Sequence, residues 1–69
     1  MAKLNVVVNG EKREVDAGTT VLDLLKTLEI RPGPVAVEVN SAVVRRPQHG
    51  AFQLSVGDRI EIVTLVGGG

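Results

Sequence analysis

Leucine and valine occupy different parts of this chain. Four of the seven leucines lie between Leu22 and Leu28, while thirteen valines and three isoleucines are spread along the sequence. β-branched side chains are stiff at χ1 and pack well on pleated sheets, whereas leucine suits helices. One helix among strands follows. Val21, Leu24, Leu25 and Leu28 fall at i, i+3, i+4 and i+7, a single core-facing stripe. Thr20 precedes that stripe and Asp23 stands three residues later, the pattern of a capping box. Arg31-Pro32-Gly33-Pro34 cannot continue a helix, so it ends near Glu29.

The strands read by alternation. Leu4, Val6 and Val8 share one face at period two. Asn9-Gly10 follows at once and tolerates the positive φ angles of a tight hairpin turn. The return strand, Glu11 to Val15, is mostly charged, as suits a solvated edge. Val35, Val37 and Val39 mark a third strand, Asn40-Ser41 a turn, and Ala42-Val43-Val44 a short fourth strand. Residues 45–55 carry no clear period; Phe52 and Leu54 are expected to plug the core beneath them. After a turn at Val56-Gly57-Asp58, the last strand runs from Arg59 to Val66. Ile60 and Ile62 lie on one face of it, with Glu61, Val63 and Leu65 on the other. A lone helix must lie across one sheet face for both to bury apolar surface, which makes this an α+β two-layer domain. Residues 1–66 are expected to form that domain and 67–69 a flexible glycine tail.

Composition removes whole classes of function. The chain has 69 residues and no cysteine, which excludes disulfides, thiolate catalysis and cysteine-ligated metal. A single histidine, His49, is too few for a histidine-rich metal site, and it reads as an ordinary exposed side chain in a polar loop. Eight basic residues balance eight acidic ones, so counterion release cannot drive nucleic-acid binding. Phe52 is the sole aromatic, so no platform exists for stacking bases. No apolar run exceeds three residues, so no membrane span or signal core is expected, and the cytoplasm is the default compartment.

No catalytic constellation is legible. Ser41 and Ser55 lack a histidine–carboxylate pair. Glu11 with Glu14, and Asp58 with Glu61, read as solvated surface. Arg45-Arg46 reads as a charged strand end. The chain is therefore not expected to be an enzyme. The tail is the distinctive element. Gly67-Gly68-Gly69 follows the last strand directly. Glycine lacks Cβ, so its backbone can thread a channel too narrow for any side chain. Three extended residues span roughly 10 Å. They carry an α-carboxylate that is ionised at neutral pH and must be activated, ordinarily by adenylation, before a nucleophile can attack it.

Six stretches together resemble a known family. They are the Asn9-Gly10 hairpin, Thr20-Val21-Leu22-Asp23-Leu24-Leu25, Val35-Ala36-Val37-Glu38-Val39-Asn40, Val43-Val44-Arg45-Arg46, Val56-Gly57-Asp58-Arg59-Ile60-Glu61-Ile62 and Val66-Gly67-Gly68-Gly69. In order and over essentially the whole chain they resemble the ThiS family of thiamine-biosynthesis sulfur carriers. The resemblance implies a β-grasp (ubiquitin-like) fold, a mixed sheet of four or five strands whose first and last strands lie side by side and parallel. It implies that a ThiF-type adenylyltransferase activates Gly69 with ATP, with Gly67 and Gly68 required for that step. Sulfur from a cysteine-derived donor, supplied by a desulfurase, then leaves a thiocarboxylate, and a ThiG-type thiazole synthase takes the sulfur. No bound cofactor is implied; the ATP belongs to the activating partner.

Docking residues follow from the last strand's outer face. Val63 and Leu65 point away from the helix, Val66 leads into the tail, and Val7 is expected to lie near them. An exposed apolar patch beside the tail suits recognition by successive enzymes. The free chain is expected to be a monomer. Two other carriers of a terminal glycine remain compatible with the residues: a small subunit like that of molybdopterin synthase, and a ubiquitin-like modifier joined to lysines. A plain interaction module with an incidental tail is the third alternative.

Overall fold

Two hairpins and one capped helix build the molecule around a central strand. The computed structural model describes residues 2–30 and 34–64. Strand β1 (Lys3–Val8) pairs antiparallel with β2 (Glu11–Asp16), from Val8 opposite Glu11 to Lys3 opposite Asp16. That register leaves Asn9-Gly10 as a two-residue loop, with φ of 49° and 83°. Positive φ at both positions is the type I′ geometry, whose twist matches that of the flanking strands. The second hairpin repeats the device. β3 (Val35–Val39) and β4 (Ala42–Val44) are joined by Asn40 and Ser41 at φ of 52° and 71°.

Helix α1 (Val21–Thr27) starts where the capping box places it. Thr20 Oγ1 accepts from the Asp23 amide and Asp23 Oδ2 accepts from the Thr20 amide, each at 3.1 Å. These bonds satisfy amides that the helix start leaves without partners. The Thr20 amide bond also holds the Asp23 carboxyl below its ordinary pKa, with smaller help from the hydroxyl. The helix closes at Leu28, and Glu29 takes the left-handed conformation at φ 57°. This agrees with the expected end near Glu29.

β5 (Arg59–Thr64) completes a five-stranded sheet in the order β2-β1-β5-β3-β4. It runs parallel to β1 and antiparallel to β3. The topology is that of the β-grasp fold expected from the resemblance. The helix covers one face. Val6, Val21, Leu24, Val37 and Ile60 are each at most 1% exposed, and Val8, Leu25, Val39, Val44, Leu54 and Ile62 join them in a single core. Burying each such side chain contributes about 1.5–3 kcal/mol. Charged β2 lies at one edge, as its sequence requires.

Three local expectations are corrected. His49 is buried, not exposed: its Nε2 donates to the Val44 carbonyl at 2.9 Å, and its own carbonyl accepts from the Leu22 amide. A 3₁₀ turn at Arg46–Gln48 carries the chain back over the start of α1 and takes His49 inside. Asp58 is also buried. Its carboxylate accepts from the Ser55 amide at 2.7 Å and from Asn40 Nδ2 at 2.9 Å, so it closes a turn and is no solvated surface group. Leu54 enters the core as expected, but Phe52 stays at the margin, because its backbone is committed to pairing with Val21.

Candidate functional site

β5 is the strand that leads to the glycine tail, and its neighbours hold it along its length. β3 pairs with it from Val39 opposite Ile60 to Val35 opposite Thr64. β1 covers only its first third, at Arg59 and Ile60, because β1 turns back at Asn9. There the Asn9 side chain takes over. Its Oδ1 accepts from the Ile62 amide at 2.8 Å and its Nδ2 donates to the Ile62 carbonyl at 3.2 Å. A carboxamide thus stands in for the peptide group that β1 no longer supplies.

The second hairpin turn clamps the start of the same strand. Asn40 Oδ1 accepts from the Arg59 amide at 3.0 Å while its Nδ2 reaches Asp58. Both type I′ turns therefore put an asparagine at their first loop position, and both asparagines bind β5. A groove of about 420 Å³ lies between the two turns, lined by Val7, Asn9, Asn40, Ser41, Arg59 and Glu61.

The sheet face away from the helix carries the rest of the site. Val63 is 55% exposed and Val43 68% exposed, and Ala36, the register partner of Val63, is exposed as well. Val7 shares this face and is half-buried, but it does not stand beside Val63 as expected. It pairs level with Arg59, four residues earlier on β5. At a rise of about 3.3 Å per residue, that sets it roughly 13 Å from the level of Val63. The early turn at Asn9 is the reason. Leu65, Val66, Gly67, Gly68 and Gly69 lie outside the described residues.

Sequence reasoning missed the roles of Asn9 and Asn40 beyond turn formation. Asn9 and Ile62 are 53 positions apart, and no local pattern reports a contact at that range. Among the described residues no cluster of histidine and acidic side chains could hold a metal ion. No helix there is long and apolar enough to cross a membrane.

The sheet order, the single capped helix and the strand leading to a glycine tail can be set beside known proteins. A model of the ThiS family matches residues 6–69. The chain belongs to the ThiS family. Its fold and sequence are those of the sulfur carriers of thiamine biosynthesis. The crystal structure of a thiamine biosynthesis protein (ThiS) from Geobacter metallireducens superposes with a TM-score of 0.80 at 33% identity, covering 96% of this chain and all of that one. The sulfur carrier protein ThiS of Escherichia coli is 29% identical over 66 residues, 96% of this chain and 100% of that protein. A thiazole synthase of Magnetococcus marinus is 46% identical over 66 residues. That match covers 96% of this chain but spans only 20% of the larger protein.

Proposed function

We propose that the chain carries sulfur on the carboxylate of Gly69 and is not itself a catalyst. The observation that carries this reading is the extent of the family match, which runs from residue 6 through Gly67, Gly68 and Gly69. In the proposed cycle a ThiF-type enzyme directs a Gly69 carboxylate oxygen onto the α-phosphorus of ATP, and pyrophosphate leaves. A persulfide whose outer sulfur comes from cysteine, supplied through a desulfurase, then attacks the acyl carbon and expels AMP. A second thiol cleaves the S–S bond of that acyl disulfide, forming a disulfide with the donor and freeing the sulfur on the glycine carbonyl. The resulting thiocarboxylate is a soft nucleophile suited to a carbonyl-derived imine on a thiazole synthase.

The chain's own contribution is presentation. A reactive end is useful only if its root is rigid and its tip slim. The clamps on β5 give a fixed root at Ile62, and Gly67 to Gly69 carry no side chain to obstruct a partner's channel. The acceptor is the thiazole synthase. A protein of that name in Magnetococcus marinus contains a stretch similar to this chain, and joining a carrier to its acceptor in one polypeptide raises their effective concentration.

Intact-mass spectrometry tests the reading. After incubation with a ThiF-type enzyme, ATP, cysteine and a desulfurase, the expected product has one terminal oxygen exchanged for sulfur. An unchanged mass under conditions that modify a known ThiS protein overturns it. Replacing Gly68 or Gly69 by a bulky residue should abolish the exchange while shifting stability by no more than about 0.5 kcal/mol.

A further inference from the structure

The register of β3 on β5 places two carboxylates where a sheet least favours them. Glu38 stands directly opposite Glu61. Side chains so paired have Cβ atoms about 4.5–5.5 Å apart, and like charges there destabilise the sheet. Both point away from the helix, since their strand neighbours Val37, Val39, Ile60 and Ile62 are buried against it. Glu38 is half-buried and Glu61 exposed. On its other side Glu38 faces Val43, and the next rung toward the tail is Val63 with Ala36.

Among the described residues no cation forms an ion pair with either glutamate. The one ion pair among the described residues joins Lys3 to Asp16, at the far edge of the sheet. Arg59 lies on the same face, two residues before Glu61, yet forms no ion pair with either glutamate. The whole chain is neutral, with eight charges of each sign, so the pair is a local feature and no reflection of an acidic protein. Two glutamates held opposite one another across a sheet, with Val43, Val63 and Ala36 beside them, are a poor choice for folding. They are a good receptor for one planar cation that donates hydrogen bonds to both acids at once.

We propose that the open sheet face docks onto the adenylating, ThiF-type enzyme through a basic side chain of that enzyme, an arginine by its geometry, lodged between Glu38 and Glu61 and packed against Val43, Ala36 and Val63. This rests on the carrier reading, because it assumes a protein partner that handles the nearby tail. The charge pair selects the partner and the apolar margin keeps water off the bridge, which strengthens it. The unfavourable register is retained because docking relieves it.

The experiment compares binding of the intact chain and two double variants to the purified ThiF-type enzyme of the same organism, by calorimetry at several salt concentrations. In E38Q/E61Q, affinity should fall about tenfold or more and its salt dependence should flatten, while the melting temperature stays level or rises. In E11Q/E14Q, which makes the same change in net charge on β2, affinity should be unchanged. Equal affinity of E38Q/E61Q and wild type overturns the proposal and leaves the carrier reading standing. An equal loss in E11Q/E14Q overturns it too, by showing that bulk charge is responsible. A lowered melting temperature in E38Q/E61Q overturns it by making the glutamates structural. A wild-type chain that neither binds nor is adenylated removes the carrier reading and the proposal together.

Discussion

The two faces of this sheet are made from the same strands and obey different rules. On the helix side, Val37, Val39, Ile60 and Ile62 alternate into a core where none exceeds 8% exposure. On the other side, the residues between and beside them, Ala36, Glu38, Glu61 and Val63, meet solvent. The first set answers to close packing, where every methyl group counts. The second violates a packing rule, opposing two like charges and leaving valines uncovered, in a molecule small enough to need every contribution to stability. A face that works against folding in so small a domain is a face kept for something else. The contrast separates what holds the tail's root in place from what a partner would recognise.

The strongest way to break the contrast is through the covered face. Leu24 is 1% exposed and packs into the single core. Leu24→Ala should cost about 2–5 kcal/mol by urea unfolding, through the lost transfer energy and the cavity left behind. A change below about 1 kcal/mol, roughly a fivefold step in the folding equilibrium, would mean that the helix does not seal the sheet.

Next in size is the clamp that ties the first hairpin to the tail strand. Asn9→Ala removes two hydrogen bonds to Ile62 and forces a Cβ-bearing residue without a compensating side chain into the left-handed region. A loss of about 1–3 kcal/mol is expected, with faster hydrogen exchange at the Ile62 amide. Asn9→Gly keeps the backbone conformation and loses the same bonds, so the difference between the two variants isolates the strain. If exchange at Ile62 does not change in either, the carboxamide does not extend the β1–β5 ladder.

The helix cap contributes less and does so in a pH-dependent way. Thr20→Ala should cost about 0.5–2 kcal/mol. Asp23 has a folded pKa held down by the Thr20 amide. The sign follows from linkage. A depressed carboxyl stabilises the fold at pH above its unfolded value, near 3.9, and that stabilisation disappears as pH falls through the lower, folded value. Thermal melts from pH 6 down to pH 2 should show this loss, and Asp23→Asn should flatten it.

How much of this was legible beforehand depended on the range of the interaction. The helix with its capping box, the Asn9-Gly10 hairpin and the inward faces of Val37, Val39, Ile60 and Ile62 all rest on residues two to seven positions apart, and the structure agrees with each. The pairing of first and last strands came from family resemblance, not from any local pattern. What failed was polar burial. His49 and Asp58 look like surface groups in sequence because their partners, Val44 and Asn40, become visible only when loops close. Val7 was misplaced for a related reason: alternation assigns a residue to a face, but register decides its level, and register was set by where β1 turned. The facing of Glu38 and Glu61 escaped notice for the same cause.

The smallest expected effect on stability is also the sharpest test of the two faces, because one substitution can be made on each. Valine and threonine have nearly the same shape and both suit strands, so Val→Thr exchanges a methyl for a hydroxyl and little else. At Val37, 1% exposed, the hydroxyl enters a dry core and should cost about 1–3 kcal/mol. At Val63, 55% exposed, it enters water, and the change should stay within about 0.5 kcal/mol. Activation by a ThiF-type enzyme should respond in the opposite order. Val37→Thr, while folded, keeps the open face intact and should be modified at the wild-type rate, whereas Val63→Thr removes apolar contact beside Glu61 and should be modified more slowly. Equal rates for both variants, measured below the melting temperature of each, would mean that the open face is not where the enzyme docks, however well its chemistry suits the purpose.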